Sequence, residues 1–229
     1  MILAVLQARL SSTRLPGKVM RPLLGRPMIE RQIERLRRAA RIDRLVVATS
    51  VEASDDPLAA WCAASGVEVF RGPLDDVLAR FAAAAEAFGP ADPVVRLTAD
   101  CPLADPGVID ACIDLHLRDG GDYTSNALTR TYPVGLDVEV VTALALATAA
   151  REATDPYERE HVMPFLYRRP QRFRIVQLTQ AENLGALRWT VDTPEDFAFV
   201  EGVYAALYPA RPDFDTADVL ALAGARRTA

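Results

Sequence analysis

The stretch Met1–Lys18, MILAVLQARLSSTRLPGK, decides the fold. Ile2–Leu6 is a short unbroken apolar run, the pattern of a strand buried on both faces of a parallel sheet. The run stops at Gln7, and a polar loop carries the chain to Lys18. Further along, helices and strands alternate. Met28, Ile29, Ile33, Leu36 and Ala40 follow helical spacing, and Leu45–Ala48 reads as a second buried strand. A short helix over Pro57–Ser65 closes at Gly66, and a third strand follows at Val67–Phe70. Val77, Leu78, Phe81, Ala84, Ala85 and Phe88 mark a helix stopped by Gly89-Pro90; a fourth strand is predicted at Pro93–Leu97, then a helix through Val108, Ile109, Cys112 and Ile113. Such alternation implies an α/β fold with a mixed, mostly parallel sheet flanked by helices.

The rhythm breaks at Gly120-Gly121. Tyr123–Val141 is extended and irregular with a strand expected at Leu136–Val141, followed by a helix near Thr142–Ala153 and a stretch punctuated by Pro164 and Pro170. Arg174–Leu178 and Leu187–Val191 read as strands, and helices over Pro194–Leu207 and Thr216–Ala223 close the chain. The expected organisation is a single domain over 1–229, made of a first half at 1–120, an inserted extended section at 121–186 and a return to the sheet at 187–229.

Composition narrows the function. The net charge of −5 over 229 residues argues against nonspecific nucleic-acid binding. It conceals an asymmetry, because residues 1–44 carry +8 and the remainder −13. A basic first unit on an acidic body suits a polyanion such as a phosphate chain, although Arg31, Arg35, Arg37 and Arg38 read more simply as a solvated helix face. Cys62, Cys101 and Cys112 are odd in number and lack metal-ligand spacing, which suits reduced thiols and a cytoplasmic protein. No apolar run approaches a membrane span.

In open α/β sheets ligands bind beyond the carboxyl ends of the strands, where the first loop lies. It has no G-x-G-x-x-G, and Gly17-Lys18 is followed by Val19 with no earlier glycine in place, so it is neither a dinucleotide fingerprint nor a Walker loop. It does offer Arg9, Arg14, Lys18, the hydroxyls of Ser11, Ser12 and Thr13, and backbone N–H groups, the donors a triphosphate needs. Lys18 is the single lysine against 25 arginines. A chain that uses Arg wherever a cation suffices implies a task here that a planar guanidinium does not fill, such as reaching a reacting phosphate. Arg71 and Arg80, near the third strand, are expected to flank the nucleotide.

Two aspartates lie at strand ends: Asp100 in Arg96-Leu97-Thr98-Ala99-Asp100-Cys101-Pro102-Leu103, and Asp192 in Thr190-Val191-Asp192-Thr193-Pro194-Glu195-Asp196. Two converging carboxylates can hold Mg2+, which keeps waters and shares phosphate oxygens. Asp192 has a rival reading as a helix cap. Asp100 does not, since Asp105-Pro106 supplies the next helix start. Asp137 and Glu139, two apart on one strand, share a face and suit a cationic acceptor group, a second metal or simply an exposed polar surface. His161 reads as a base or a donor to the acceptor, with Glu160 beside it; His116, mid-helix, reads as structural.

Gln7-Ala8-Arg9-Leu10-Ser11-Ser12-Thr13-Arg14-Leu15-Pro16-Gly17-Lys18 resembles the opening signature of CMP-KDO synthetases and related cytidylyltransferases. The Arg96–Leu103 stretch, Tyr132–Val140, Arg159-Glu160-His161-Val162 and Thr190–Asp196 resemble the spore-coat polysaccharide branch of that family, almost end to end. The resemblance implies a Rossmann-like nucleotidyltransferase fold related to GT-A, CTP bound by the first half, Mg2+ on Asp100 and Asp192, and a homodimer built from the middle section. The implied nucleotide-binding set is Gln7, Ala8, Arg9, Ser11, Ser12, Arg14, Lys18, Arg71, Arg80, Thr98, Ala99 and Asp100. Lys18, Arg14, Asp100 and Asp192 are the implied catalytic residues. Asp137, Glu139, Glu160 and His161 are expected at the acceptor, a sugar acid or another small acid, since this branch lacks the acceptor sequences of the sugar-acid synthetases. The reaction expected is CMP transfer from CTP with release of pyrophosphate, in cell-surface polysaccharide or related biosynthesis. The alternatives are a glycosyltransferase, for which Asp75-Asp76 and Asp137-Val138-Glu139 are imperfect metal motifs, and a nucleotide-binding module without turnover.

Overall fold

The computed structural model describes residues 1–227. Among the described residues nine strands run in chain order: β1 Leu3–Gln7, β2 Pro22–Leu23, β3 Arg26–Pro27, β4 Arg44–Ser50, β5 Glu68–Gly72, β6 Val94–Thr98, β7 Tyr123–Ser125, β8 Glu139–Val141 and β9 Ile175–Gln177. The α-helices are α1 Met28–Leu36, α2 Asp56–Ala64, α3 Val77–Ala87, α4 Pro106–Asp119, α5 Ala143–Glu152, α6 Pro156–His161, α7 Pro164–Tyr167, α8 Pro194–Leu207 and α9 Thr216–Arg227. Seven strands form one sheet in the order β5-β4-β1-β6-β8-β7-β9; β2 and β3 make a small separate hairpin. β1 pairs in parallel with β4 and β6, while β8 runs antiparallel to both its neighbours. The expected mixed, mostly parallel sheet is therefore present.

The apolar run of β1 is buried on both faces, as its composition demanded. Ala4 and Leu6 pack into a core layer with Ile29, Ile33, Cys112, Val200 and Tyr204, under α1, α4 and α8. Leu3 and Val5 face the opposite layer with Leu78, Phe81, Leu146 and Phe165, under α3, α5 and α7. With β1 central, the loop leaving its carboxyl end opens over the middle of the sheet.

Three expectations need correction. Leu187–Val191 is extended but joins no ladder, because only the isolated Val134–Arg188 bridge pairs it. Its backbone instead exchanges hydrogen bonds with Val134, from Val134 to the Leu187 carbonyl at 2.9 Å and from Trp189 to the Val134 carbonyl at 2.7 Å. Tyr123–Ser125, read as irregular, is a strand, and the proline-punctuated stretch holds α6 and α7. Lastly, Arg31 and Arg35 do not solvate a helix face, for both are buried. Arg35 donates to the carbonyls of Ala104 and Phe214 and lies over the Phe214 ring at 4.3 Å. Arg31 donates to the Leu23 and Leu24 carbonyls and to the Tyr208 hydroxyl. These guanidiniums staple α1 to the C-terminal helices; Arg37 and Arg38 are exposed as expected.

Candidate active site

The loop after β1 is held from below. Ala8 donates to the Ala48 carbonyl at 3.1 Å and Ala99 to the Gln7 carbonyl at 2.9 Å, so the three central strands flare apart only past those residues. Gly17 takes φ 69°, a left-handed conformation that a side chain would strain, and donates to the Leu10 carbonyl at 2.9 Å. The loop closes on itself there and turns Lys18 inward. A fully buried carboxylate on Asp55 accepts from the Leu10 amide at 2.6 Å, from the Ser50 amide at 3.1 Å and from the Ser50 hydroxyl. Sequence reasoning passed over Asp55; its only signal was an acidic pair where a helix begins.

The two aspartates meet over β1. Val191 donates to the Asp100 carbonyl at 2.8 Å, which locks their two segments side by side. The Lys18 ammonium lies between the carboxylates, 3.0 Å from Asp192 Oδ1 and 3.5 Å from Asp100 Oδ2, and donates to the Val191 carbonyl at 2.7 Å. Arg14 reaches the same Asp192 Oδ1 at 3.0 Å, and Arg188 takes Asp192 Oδ2 at 2.6 Å. Burial works to raise the Asp192 carboxyl, but hydrogen bonds from Lys18 and Arg188 hold it below the ordinary aspartate value. The helix-cap reading of Asp192 fails. Thr193 is the cap of α8 and forms a reciprocal capping box with Asp196. Asp105 caps α4, as expected.

These groups line a cleft of about 770 Å³ that also takes in Gln7, Ala8, Arg9, Ser12, Thr98 and Ala99, with Leu74–Val77 on one rim and Glu160 and His161 on another. Ser11, Arg71 and Arg80 do not line it. The Ser11 hydroxyl is buried without a partner. Arg71 donates to the carbonyls of Ser50 and Glu52 and pairs with Asp56. Arg80, 1% exposed, donates to the carbonyls of Pro73 and Leu74 and supports the rim from behind. Cys101 is no nucleophile: burial, with the Asp100 charge beside it, pushes its thiol well up.

A second pocket of about 360 Å³ adjoins the cleft, sharing Arg96, Thr98 and His161 and adding Arg130, Asp137, Glu139, Tyr157 and Tyr167. Asp137 and Glu139 do share a face here, and both are paired with arginines. Asp137 takes a forked pair from Arg130, at 2.5 and 3.1 Å. Glu139 is paired with Arg96 and accepts from the Tyr123 hydroxyl at 2.6 Å, while Arg96 also donates to Gln7 at 3.0 Å. Sequence reasoning missed Arg96, whose partner Glu139 is set by the pairing of β6 with β8, and Arg130 and Arg188, whose partners lie seven and four residues away where the loop turns back. His161 stands between cleft and pocket, its ring 4.3 Å from that of Tyr157. His116 is buried, with Nδ1 2.9 Å from the Thr124 hydroxyl, and is structural as expected.

Comparison with known proteins agrees with this architecture. Residues 3–206 match a family model described as cytidylyltransferase. The chain is 37% identical over 228 residues to the spore coat polysaccharide biosynthesis protein SpsF of Bacillus subtilis (strain 168), covering 96% of this chain and 93% of that one. A cytidylyltransferase structure from Leptospira borgpetersenii superposes with a TM-score of 0.93 at 30% identity, covering 99% of this chain and 95% of that one. CMP:2-keto-3-deoxy-manno-octonic acid synthetase complexed with CTP superposes with a TM-score of 0.65 at 17% identity over 89% of this chain and 98% of that one, a likeness of fold.

Proposed function

Because the chain belongs to the cytidylyltransferase family, we propose that it transfers CMP from CTP to a sugar acid or another small acidic acceptor, releasing pyrophosphate. The observation that carries this reading is the convergence of Asp100, Asp192 and Lys18 at the carboxyl ends of the central strands, in a cleft that continues into a second pocket. The similarity to a spore coat polysaccharide biosynthesis protein supports a role in cell-surface polysaccharide or related biosynthesis.

In this reading the triphosphate lies across the loop, with Arg9, Arg14 and Lys18 on its oxygens. The donor set suits magnesium: Asp100 and Asp192 would supply two carboxylates and leave the remaining positions to phosphate and water. Magnesium held there would supply Lewis-acid charge on the α-phosphate. The chain's own contribution is positioning and charge neutralisation as an acceptor oxygen displaces pyrophosphate at α-phosphorus. His161, shared by the cleft and the second pocket, is the side chain this reading sets against the acceptor, and no covalent enzyme intermediate is required. The reading includes a homodimer joined through 121–186, where Leu128 and Tyr157 are exposed. It also includes a cytoplasmic setting, in keeping with three free cysteines.

The glycosyltransferase alternative finds no support in the site. Asp76 caps α3 and pairs with Arg159, while Asp137 and Glu139 are held by arginines. The test is pyrophosphate release across a panel of sugar acids and other small acids. CTP should be turned over in preference to UTP, because a site that pairs with the cytosine amino group leaves polar atoms unmatched by uracil. Equal turnover of the two nucleotides would reject the cytidylyl assignment.

A further inference from the structure

We propose that Lys18 gates the cation site, its ammonium holding the carboxylate oxygens a divalent cation needs, so that the cation binds with the triphosphate and not ahead of it. The inference rests on the functional reading above. Asp192 Oδ1 accepts a hydrogen bond from Lys18 Nζ at 3.0 Å and has the Arg14 guanidinium in an ion pair at the same distance, so two cations crowd one carboxylate oxygen. Asp192 Oδ2 is taken by Arg188 at 2.6 Å. The same ammonium faces Asp100 Oδ2 at 3.5 Å and is anchored to the Val191 carbonyl at 2.7 Å. With its side chain only 10% exposed, Lys18 has little water to turn to. A cation coordinated at about 2.0–2.1 Å and an ammonium on the same oxygen exclude each other.

A triphosphate alters that balance. Its oxygens offer Lys18 and Arg14 new acceptors and release Asp192 Oδ1, so nucleotide and cation help each other to bind, and by linkage the help is reciprocal. A positively charged residue that is needed for turnover therefore opposes cation binding in the free protein.

The test uses Mn2+ alone, titrated into the whole protein and read by electron paramagnetic resonance, with far-ultraviolet circular dichroism to verify folding. Lys18→Met should bind Mn2+ about tenfold tighter than wild type or more, within the usual span of coupling between sites. Arg9→Gln removes the same unit charge from the cleft but breaks no ion pair with either aspartate, and should change affinity less than about threefold, as expected of a screened charge. Arg14→Gln, on a side chain 64% exposed, should fall between the two and decides the matter if Lys18→Met does not fold. Lys18→Met no tighter than wild type would overturn the gate, and so would Arg9→Gln matching Lys18→Met or Arg14→Gln, since that is charge acting through space. If wild type still released pyrophosphate from CTP in either case, the gate alone would fall. Absence of both CTP turnover and Mn2+ binding in every form would remove the functional reading with it.

Discussion

Two residues that neighbour each other separate chemistry from structure. Thr193 caps α8, whereas the Asp192 carboxylate faces Lys18, Arg14 and Arg188. Asp192→Asn, like Asp100→Asn, should keep the fold and lose turnover by roughly a hundredfold or more, the scale of removing one key electrostatic group. Thr193→Ala should instead cost about 1 kcal/mol of stability through the lost cap. Thermal melts and steady-state kinetics of the pair check both halves; an Asp192→Asn protein that melts early but turns over normally would reverse the assignment. Lys18 makes the sharper case. Charge alone would make Lys18→Arg mild, since both side chains are protonated near neutrality. The pocket between Val191, Asp192 and Asp100 closely encloses an ammonium, and a wider planar group does not fit three divergent acceptors. Lys18→Arg should therefore lose kcat nearly as badly as Lys18→Met, and near wild-type turnover would mean the residue's solitude is compositional.

At the scale of elements, what was legible in the sequence was whatever depended on local pattern. Short runs rich in apolar residues placed β1, β4, β5 and β6, and Pro194 with a capping residue before it placed α8 to the residue. Leu187–Val191 alternates apolar and polar residues as a strand would, yet lies beside Val134 instead of in a ladder, because pairing is decided by what the rest of the chain brings alongside. Gly135 explains why the two segments fit: at φ 110°, a Cβ there would come within 2.8 Å of the Trp189 backbone. The basic face of α1 was misread for a similar reason. Helical spacing shows which arginines share a face but not that Phe214 and Tyr208 cover it. Arg35→Met is the check. It leaves the buried carbonyls of Ala104 and Phe214 without a donor and should cost about 2–4 kcal/mol in chemical denaturation, with KM and kcat unchanged. Altered nucleotide affinity in a folded Arg35→Met protein would restore the polyanion reading of that face.

Over the whole molecule, the fold brings the Lys18 ammonium to 3.0 Å from Asp192 Oδ1 across most of the chain's length, and sets an arginine-lined second pocket beside them. The acidic residues and the loop were readable as chemistry from their types and their places at strand ends. Their pairing was not, since Arg96 finds Glu139 and Arg130 finds Asp137 only when β6 and β8 are neighbours and the chain leading into β8 folds back on itself. In the proposed reaction the α-phosphate of CTP ends on the acceptor and the outer two phosphates leave together. CTP labelled at the α-phosphorus, incubated with Mg2+ and a panel of sugar acids and other small acids, tests this directly. The account predicts label in a CMP–acceptor ester, matched mole for mole by pyrophosphate and lost in Asp100→Asn. Label recovered in CDP, or remaining in CTP with every acceptor, would contradict it.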